Sequence, residues 1–219
     1  MDYRDVTVVI PVKNEPAAEK VTRNVLKTLT GSRVIVIYSG RLDLGLRHRN
    51  LKVVRQVGNG KGVACVQAAK YVRTPIMCFI DGDGTYDVGD LKRLVAEVRR
   101  GADMAIGNRF GKMREGAMPA YVKFGNRVLT VTGNLLYGLR IDDSQTGSRA
   151  MKTEAFRDMR LKETNFGIET EMNVKAKKRG YKIVELPINY YIREGTPKHS
   201  KPFGGLKLLA LNFKLLNDP

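Results

Sequence analysis

The sequence predicts an α/β fold, a mostly parallel sheet flanked by helices, and three observations carry that expectation. Short apolar runs rich in β-branched residues recur along the chain. Helical periodicity fills most of the intervals between them, and such alternation of strand and helix builds a parallel sheet. Finally, 219 residues of which 42% are hydrophobic are enough to bury the core of one domain and too apolar for a disordered chain.

The expected strands are Val6 to Val12, Arg33 to Tyr38, Leu51 to Val57, Pro75 to Ile80, Asp103 to Ile106 and a late one, Lys182 to Tyr191. Helices are expected at Ala17 to Leu29 behind Pro16, Lys61 to Val72, Val88 to Arg100 and Ile168 to Arg179, the last stopped by Gly180, which tolerates a left-handed cap. Asp87 and Asp90 read as caps of the third helix, and Gly107 to Pro119 reads as a loop. Tyr121 to Leu139 mixes apolar, glycine and basic residues, and Phe203 to Leu216 sets Phe203, Leu206, Leu209, Ala210, Phe213 and Leu216 on one helical face, opposite Lys207 and Lys214. Either segment is a core helix or an amphipathic helix lying at a membrane surface. Residues 1–202 therefore read as one domain and 203–219 as a C-terminal amphipathic helix, with no repeat and no low-complexity tract.

Lys and Arg number 39 against 22 Asp and Glu, a net charge of +17, which calls for a polyanionic partner: nucleic acid, anionic lipid or a phosphate-bearing substrate. Two cysteines exclude a disulfide scaffold, and Cys65 and Cys78 lie in apolar runs as buried reduced thiols, the pattern of an intracellular protein. No stretch reaches the ~18 to 20 apolar residues of a membrane span, and the first residues have strand chemistry rather than the layout of a signal peptide. A membrane, if met, is met from the side.

The most informative segment is Asp81-Gly82-Asp83-Gly84-Thr85, directly after an apolar run. Open α/β sheets bind ligands at the carboxyl ends of their strands, so these carboxylates project into a crevice. Two such hard oxygen ligands suit Mg²⁺ or Mn²⁺, which completes its shell with substrate phosphates. The turn Gly58-Asn59-Gly60-Lys61-Gly62 fails the tests for the P-loop and the dinucleotide fingerprint, since Arg55, Gly62 and Val63 stand where those motifs need a glycine, a hydroxyl and a glycine. A lysine at a helix N-terminus remains, able to approach phosphates or the carboxylate cluster.

Six segments, VTVVIPVKNEP (Val6 to Pro16), GNGKGVA (Gly58 to Ala64), FIDGDGTYD (Phe79 to Asp87), GNRF (Gly107 to Phe110), DDSQTGSRAM (Asp142 to Met151) and INYYIREG (Ile188 to Gly195), follow one another in the order found in glycosyltransferase family 2. The chain resembles its polyprenyl-phosphate (dolichol-phosphate) mannose and glucose synthases over nearly its whole length. That resemblance implies the GT-A fold, a Rossmann-like sheet. It implies a nucleotide-diphosphate sugar donor of the GDP-mannose or UDP-glucose type, a polyprenyl phosphate acceptor, Mg²⁺ or Mn²⁺, and work at the cytoplasmic face of an anionic membrane, with no nucleic-acid partner.

By the same resemblance, Pro11, Asn14 and Glu15 match the element lining the nucleotide, Asp81 and Asp83 the metal-binding pair, and Lys61 the lysine of the N-x-G-K-G element. Arg109 and Arg127 match positions that hold the acceptor phosphate, and Arg193 matches a cation over the donor diphosphate. Gln145 and Arg149 fall in an acceptor-site turn. Where the family usually shows D-D-G-S-x-D, this chain has Tyr38-Ser39-Gly40-Arg41-Leu42-Asp43, so Ser39 replaces a carboxylate expected at the base while Asp43 is kept. The basic tail Lys198-His199-Ser200-Lys201 departs from the family's spacing.

Two glutamates compete as catalytic base. They stand ~200° apart on a helix, so only one faces the cleft; spacing favours Glu169, and Glu171 has a partner in Lys175 at i+4. A base is not obligatory, because a phosphate monoester with a second pKa of ~6 is already an ionised nucleophile. The rival readings are the same fold with a carbohydrate acceptor, where Glu169 is essential, and a nucleic-acid-binding module, which leaves the aspartate pair unexplained.

Overall fold

The computed structural model describes residues 2–193 and 202–218, and the side chains of Pro202 and Phe203 fall outside that description. The tail Lys198-His199-Ser200-Lys201 also lies outside the described residues. The elements follow as β1 (Val6–Lys13), α1 (Ala18–Thr28), β2 (Arg33–Ser39), β3 (Leu51–Arg55), α2 (Lys61–Ala69), β4 (Ile76–Phe79), α3 (Asp90–Arg99), β5 (Met104–Met113), α4 (Ala120–Tyr137), β6 (Arg149–Lys152), α5 (Thr153–Asp158), α6 (Ile168–Lys178), β7 (Ile183–Tyr190) and α7 (Pro202–Lys214).

Among the described residues seven strands form one sheet in the order β3-β2-β1-β4-β6-β5-β7, and only β6 runs antiparallel to its neighbours. Alternation within each strand feeds two cores. Val6, Val8 and Ile10 of β1, with Val34 and Val36 of β2 and Cys78 of β4, pack with Val21 and Val25 of α1 and Leu91, Leu94 and Val95 of α3 on one face. Val9, Ile35, Ile37, Met77 and Phe79 pack with Ala64 and Ala68 of α2, Phe156 of α5 and Ile168 and Met172 of α6 on the other. A sheet covered on both faces needs apolar residues at successive positions, which is why the sequence shows runs rather than strict alternation. Truncating a fully buried side chain such as Leu94 to alanine would cost about 2 to 5 kcal/mol.

Four local readings are corrected. β3 ends at Arg55, and Val57 is exposed. The segment expected to be a loop, Gly107 to Pro119, begins as strand, because β5 continues to Met113 by pairing Lys112 with Asn189 and Met113 with Tyr190 beyond an irregularity after Asn108. β6 and α5 were not expected; β6 is only four residues long and owes its strand geometry to β4 and β5 on either side. Asp87 does accept from the Gly89 N–H, but Asp90 uses one carboxylate oxygen for the backbone and side chain of Asn189 in β7, tying α3 to the sheet, and the other for Arg93 one turn along α3. Gly180, by contrast, has the expected positive φ of 72° beyond α6.

α6 is buried nearly all round, from Ile168 to Ala176. Its sheet side carries Ile168, Met172 and Ala176, and its outer side carries Val174 against Leu211 and Leu215 of the α7 region and Tyr137 of α4. Among the described residues no helix is long and apolar enough to cross a membrane.

Candidate functional site

β1 pairs with β2 on one side and β4 on the other, so chain connections leave it in opposite directions and open a crevice at the carboxyl ends of β1 and β4. At the end of β1, Asn14 adopts a left-handed φ of 49° and its Oδ1 accepts the Arg41 N–H at 2.7 Å. That contact clamps the chain leaving β2 to the rim. Ser39 ends β2 opposite Lys13, and Pro11 lies beyond the last β1–β4 pair, where no ladder bond from its nitrogen is lost.

Asp81 and Asp83 leave β4 at the same rim. Asp83 Oδ1 accepts from the Thr85 hydroxyl at 2.7 Å and the Thr85 N–H at 3.2 Å, and its Oδ2 lies 3.1 Å from Arg193 Nη1. Burial and then the charge of Asp81 push the Asp83 carboxyl above its usual range, against the pull of Thr85 and Arg193. Arg193 Nη2 also donates to both Glu15 oxygens at 2.8 Å, so one guanidinium bridges the ends of β1 and β4.

Lys61, first residue of α2, makes the matching bridge: its Nζ is 2.6 Å from Asp81 Oδ1 and 2.7 Å from Glu169 Oε1. Burial alone would lower this ammonium, but the two carboxylates outweigh it and hold the lysine well above its usual range. The glycines around it have a different task from cradling phosphate. A Cβ on Gly62 would stand 1.9 Å from the Glu163 carbonyl oxygen, so the turn is glycine because the loop before α6 lies directly on it. That loop delivers Glu169 to Lys61. Gly147 plays the same part opposite Asp81, whose Oδ2 would meet a Cβ at 2.4 Å, while the Gly147 N–H donates to the Tyr86 hydroxyl at 2.8 Å.

Glu169 and Glu171 diverge as their spacing requires. Glu171 pairs with buried Lys175 at 2.8 Å and accepts the backbone N–H groups of Lys162 and Glu163. Glu169 faces the rim with Oε2 buried and without a partner among the described residues, near Arg149, whose Nε is likewise unpartnered. Burial pushes the Arg149 guanidinium down, and the charge of Glu169 opposes that push. Gln145 donates to Thr170 Oγ1 at 2.8 Å, fixing the acceptor-like turn to the start of α6.

The crevice thus gathers Asn14, Glu15, Lys61, Asp81, Asp83, Glu169 and Arg193. Asp43 is exposed in the irregular stretch after β2, and Arg127 is exposed on α4. Arg109 stands at the rim but is committed: its Nε and Nη2 grip the two oxygens of Asp143 at 2.7 Å each, and its guanidinium lies 5.5 Å from the centre of the Tyr190 ring. Sequence reasoning missed Asp143, Tyr86 and Tyr190 as parts of this assembly. The motifs containing them were visible, but no spacing rule joins positions so far apart in the chain.

No group of three or more metal-ligating side chains occurs among the described residues. Asp81 and Asp83 instead offer hard oxygens from two carboxylates, the donor set of a divalent ion that takes its remaining ligands from phosphate and water.

Residues 7–160 match Glycosyl transferase family 2. The chain belongs to that family. Within family 2 it is 37% identical over 188 residues to glycosyltransferase AglJ of Haloferax volcanii, covering 82% of this chain and 62% of that one. It covers 41% of a second relative, the low-salt glycan biosynthesis hexosyltransferase Agl6 of the same organism, so it spans less than two thirds of either. A dolichyl-phosphate hexose transferase of Haloferax volcanii is 30% identical over 207 residues, covering 93% of this chain and 90% of that one. The same fold is seen in glucosyl-3-phosphoglycerate synthase of Mycobacterium tuberculosis, solved with UDP, at a TM-score of 0.76 and 18% identity over 98% of this chain and 80% of that one. A further structure of that synthase holds Mn²⁺, UDP-glucose and phosphoglyceric acid. The sheet described above is therefore the GT-A sheet.

Proposed function

We propose that this family-2 protein transfers a hexose, with inversion, from a nucleotide-diphosphate sugar to a polyprenyl phosphate at the cytoplasmic face of an anionic membrane. The observation that carries the acceptor and its location is an apolar stripe on α4. Tyr121, Phe124, Val128, Val131 and Leu135 follow one another at helical spacing and are all exposed, Phe124 by 73% and Leu135 by 81%. Lys123 and Arg127 are exposed on the same helix, and Leu206, Phe213 and Leu216 of the neighbouring C-terminal region add further exposed apolar surface. Apolar residues edged by cations suit the boundary between acyl chains and anionic headgroups. The dolichyl-phosphate hexose transferase relative supports the same acceptor class.

The chemistry follows from charge. A departing nucleoside diphosphate gains negative charge, and Lys61 and Arg193 are already held at the crevice to meet it, so little reorganisation is needed when the bond breaks. Asp81 and Asp83 would hold a divalent ion, Mg²⁺ or Mn²⁺, which when bound supplies Lewis-acid stabilisation of the diphosphate oxygens. Pro11, Asn14, Glu15 and Ser39 line the ends of β1 and β2, where the nucleotide would lie, and Gln145 fixes the turn beside the sugar. The acceptor phosphate attacks the anomeric carbon from the face opposite the leaving group, which inverts that centre.

A panel of nucleotide sugars with Mn²⁺ and a polyprenyl phosphate tests the proposal. One nucleoside diphosphate should be released, and only when the lipid phosphate is added. Release that depends instead on a free glycan acceptor would refute it.

A further inference from the structure

We propose that Asp143 is a positioning residue that presents Arg109 to the acceptor phosphate, an assignment resting on the acceptor reading above. Arg109 and the aspartate pair share one rim by register: Phe79 of β4 and Ile106 of β5 both pair with Arg149 of β6, so Asp81 and Arg109 stand two and three residues past the same level. Asp143 is fully buried and takes three bonds from the arginine, the backbone N–H at 3.0 Å and Nε and Nη2 at 2.7 Å. This fork fixes the plane of the guanidinium, as bidentate pairing does. Tyr190 covers one face of it and itself packs edge-on against Tyr86, which holds Gly147 against Asp81.

One edge is left over. Among the described residues Arg109 Nη1 has no protein acceptor, and it is not one of the fully buried unpartnered atoms, so the free edge of this 7% exposed residue is the edge that solvent reaches. A rigid cation with a spare pair of N–H groups at the rim fits an anionic oxygen of the incoming acceptor. Asp143 also offsets the charge of Arg109, so what remains at Nη1 is directional donation rather than a strong free cation. The turn that bears Asp143 is itself held in place, with Glu185 accepting the N–H groups of Asp142 and Asp143.

The test is a double-mutant cycle of Asp143→Asn and Arg109→Lys, read as acceptor KM with a prenyl phosphate and as UDP affinity by calorimetry. Asp143→Asn keeps the shape and loses the fork, and Arg109→Lys keeps both charges and loses only the fork, so it serves even if the asparagine variant folds poorly. Each should raise acceptor KM roughly ten- to hundredfold with UDP affinity unchanged, and the double variant should be little worse than either single one. Additive losses, an equal fall in UDP affinity, or an unmoved acceptor KM would overturn the assignment. A wild-type protein that ignores prenyl phosphate would overturn the acceptor reading, and this assignment with it.

Discussion

Glu169 and Glu171 leave the first turn of α6 on opposite sides, the first to Lys61 at 2.7 Å and the second to Lys175 at 2.8 Å. The same residue type two positions apart thus does different work. Glu169 shares its cation with Asp81 at the rim of the crevice, whereas Glu171 anchors the loop before α6 and answers a lysine that is almost wholly buried.

The difference is measurable as stability. Glu171→Ala leaves the Lys175 ammonium short of its nearest partner, and breaking a buried pair from one side costs about 3 to 5 kcal/mol. Glu169→Gln keeps the Lys61–Asp81 contact and should cost much less. Urea titration of both variants checks this, and equal losses would contradict the division.

Asp83→Ala should abolish transfer and Mn²⁺ binding while the protein stays folded, since among the described residues the Asp83 carboxylate bonds only to Thr85 of its own turn and Arg193 across the crevice. Thermal melting alongside a manganese titration is the check. Turnover near the wild-type rate, or an unfolded variant, would remove Asp83 from the metal site.

Much of this assembly was legible beforehand, for identifiable reasons. Carboxylates straight after a buried strand announce a strand end, so Asp81 and Asp83 were readable, and the Glu171–Lys175 pair is a local i+4 relation. Lys61 is readable as a lysine at a helix start, but the sequence does not show that its glycine neighbours make room for the backbone of the 162–166 loop. The fork between Arg109 and Asp143 was hidden because it depends on how β5 and the turn before β6 meet. The extension of β5 was hidden likewise, since its partner, β7, is supplied by a distant part of the chain.

The exposed face of α4 should bind membrane. Leu135→Glu puts a charge into the stripe, and flotation with anionic liposomes should fall more than tenfold, because a charge at that depth must be desolvated. Arg127→Ala should weaken flotation by no more than about fivefold, the share of one cation at an anionic surface, and raise acceptor KM by about tenfold without changing nucleotide-sugar KM, the loss of one charge-assisted contact. Equal damage to donor binding would move Arg127 to the donor side.

The C-terminal region is latched to α6 by Asp218, which lies 2.8 Å from Lys162 and 3.1 Å from Lys175. Hydrogen bonds from these lysines lower the Asp218 carboxyl from its ordinary 3.8 to about 2. A lowered carboxyl stabilises the fold above its ordinary pKa and loses that contribution as pH falls through the lowered one, so the latch should hold at pH 4 and open only toward pH 2. Hydrogen exchange over α7, corrected for intrinsic rates, should show protection at pH 4 in the wild type and about fivefold less in Asp218→Asn. Identical protection in the two proteins would mean that the carboxylate adds nothing to the apolar contacts of Leu211 and Leu215, the Lys178 bonds to the carbonyls of Leu215, Leu216 and Asp218, and the Tyr137 hydroxyl bond to Asn212.

Glu169 decides the acceptor class. It faces the rim of the crevice, with one oxygen held by Lys61 and the other buried without a partner among the described residues. A sugar hydroxyl attacking the anomeric carbon needs such a base, and removing it typically costs ~10²- to 10⁴-fold in rate. A lipid phosphate is already ionised at neutral pH, so for it Glu169 serves mainly to hold Lys61 in place. Glu169→Gln preserves size and hydrogen bonding while deleting the charge, and the measurement is kcat with polyprenyl phosphate at saturating donor. The expected loss is within about tenfold, no more than a slightly displaced Lys61 would produce. A collapse of several decades would instead make Glu169 the proton acceptor for a carbohydrate hydroxyl, and the α4 stripe would then need another occupant.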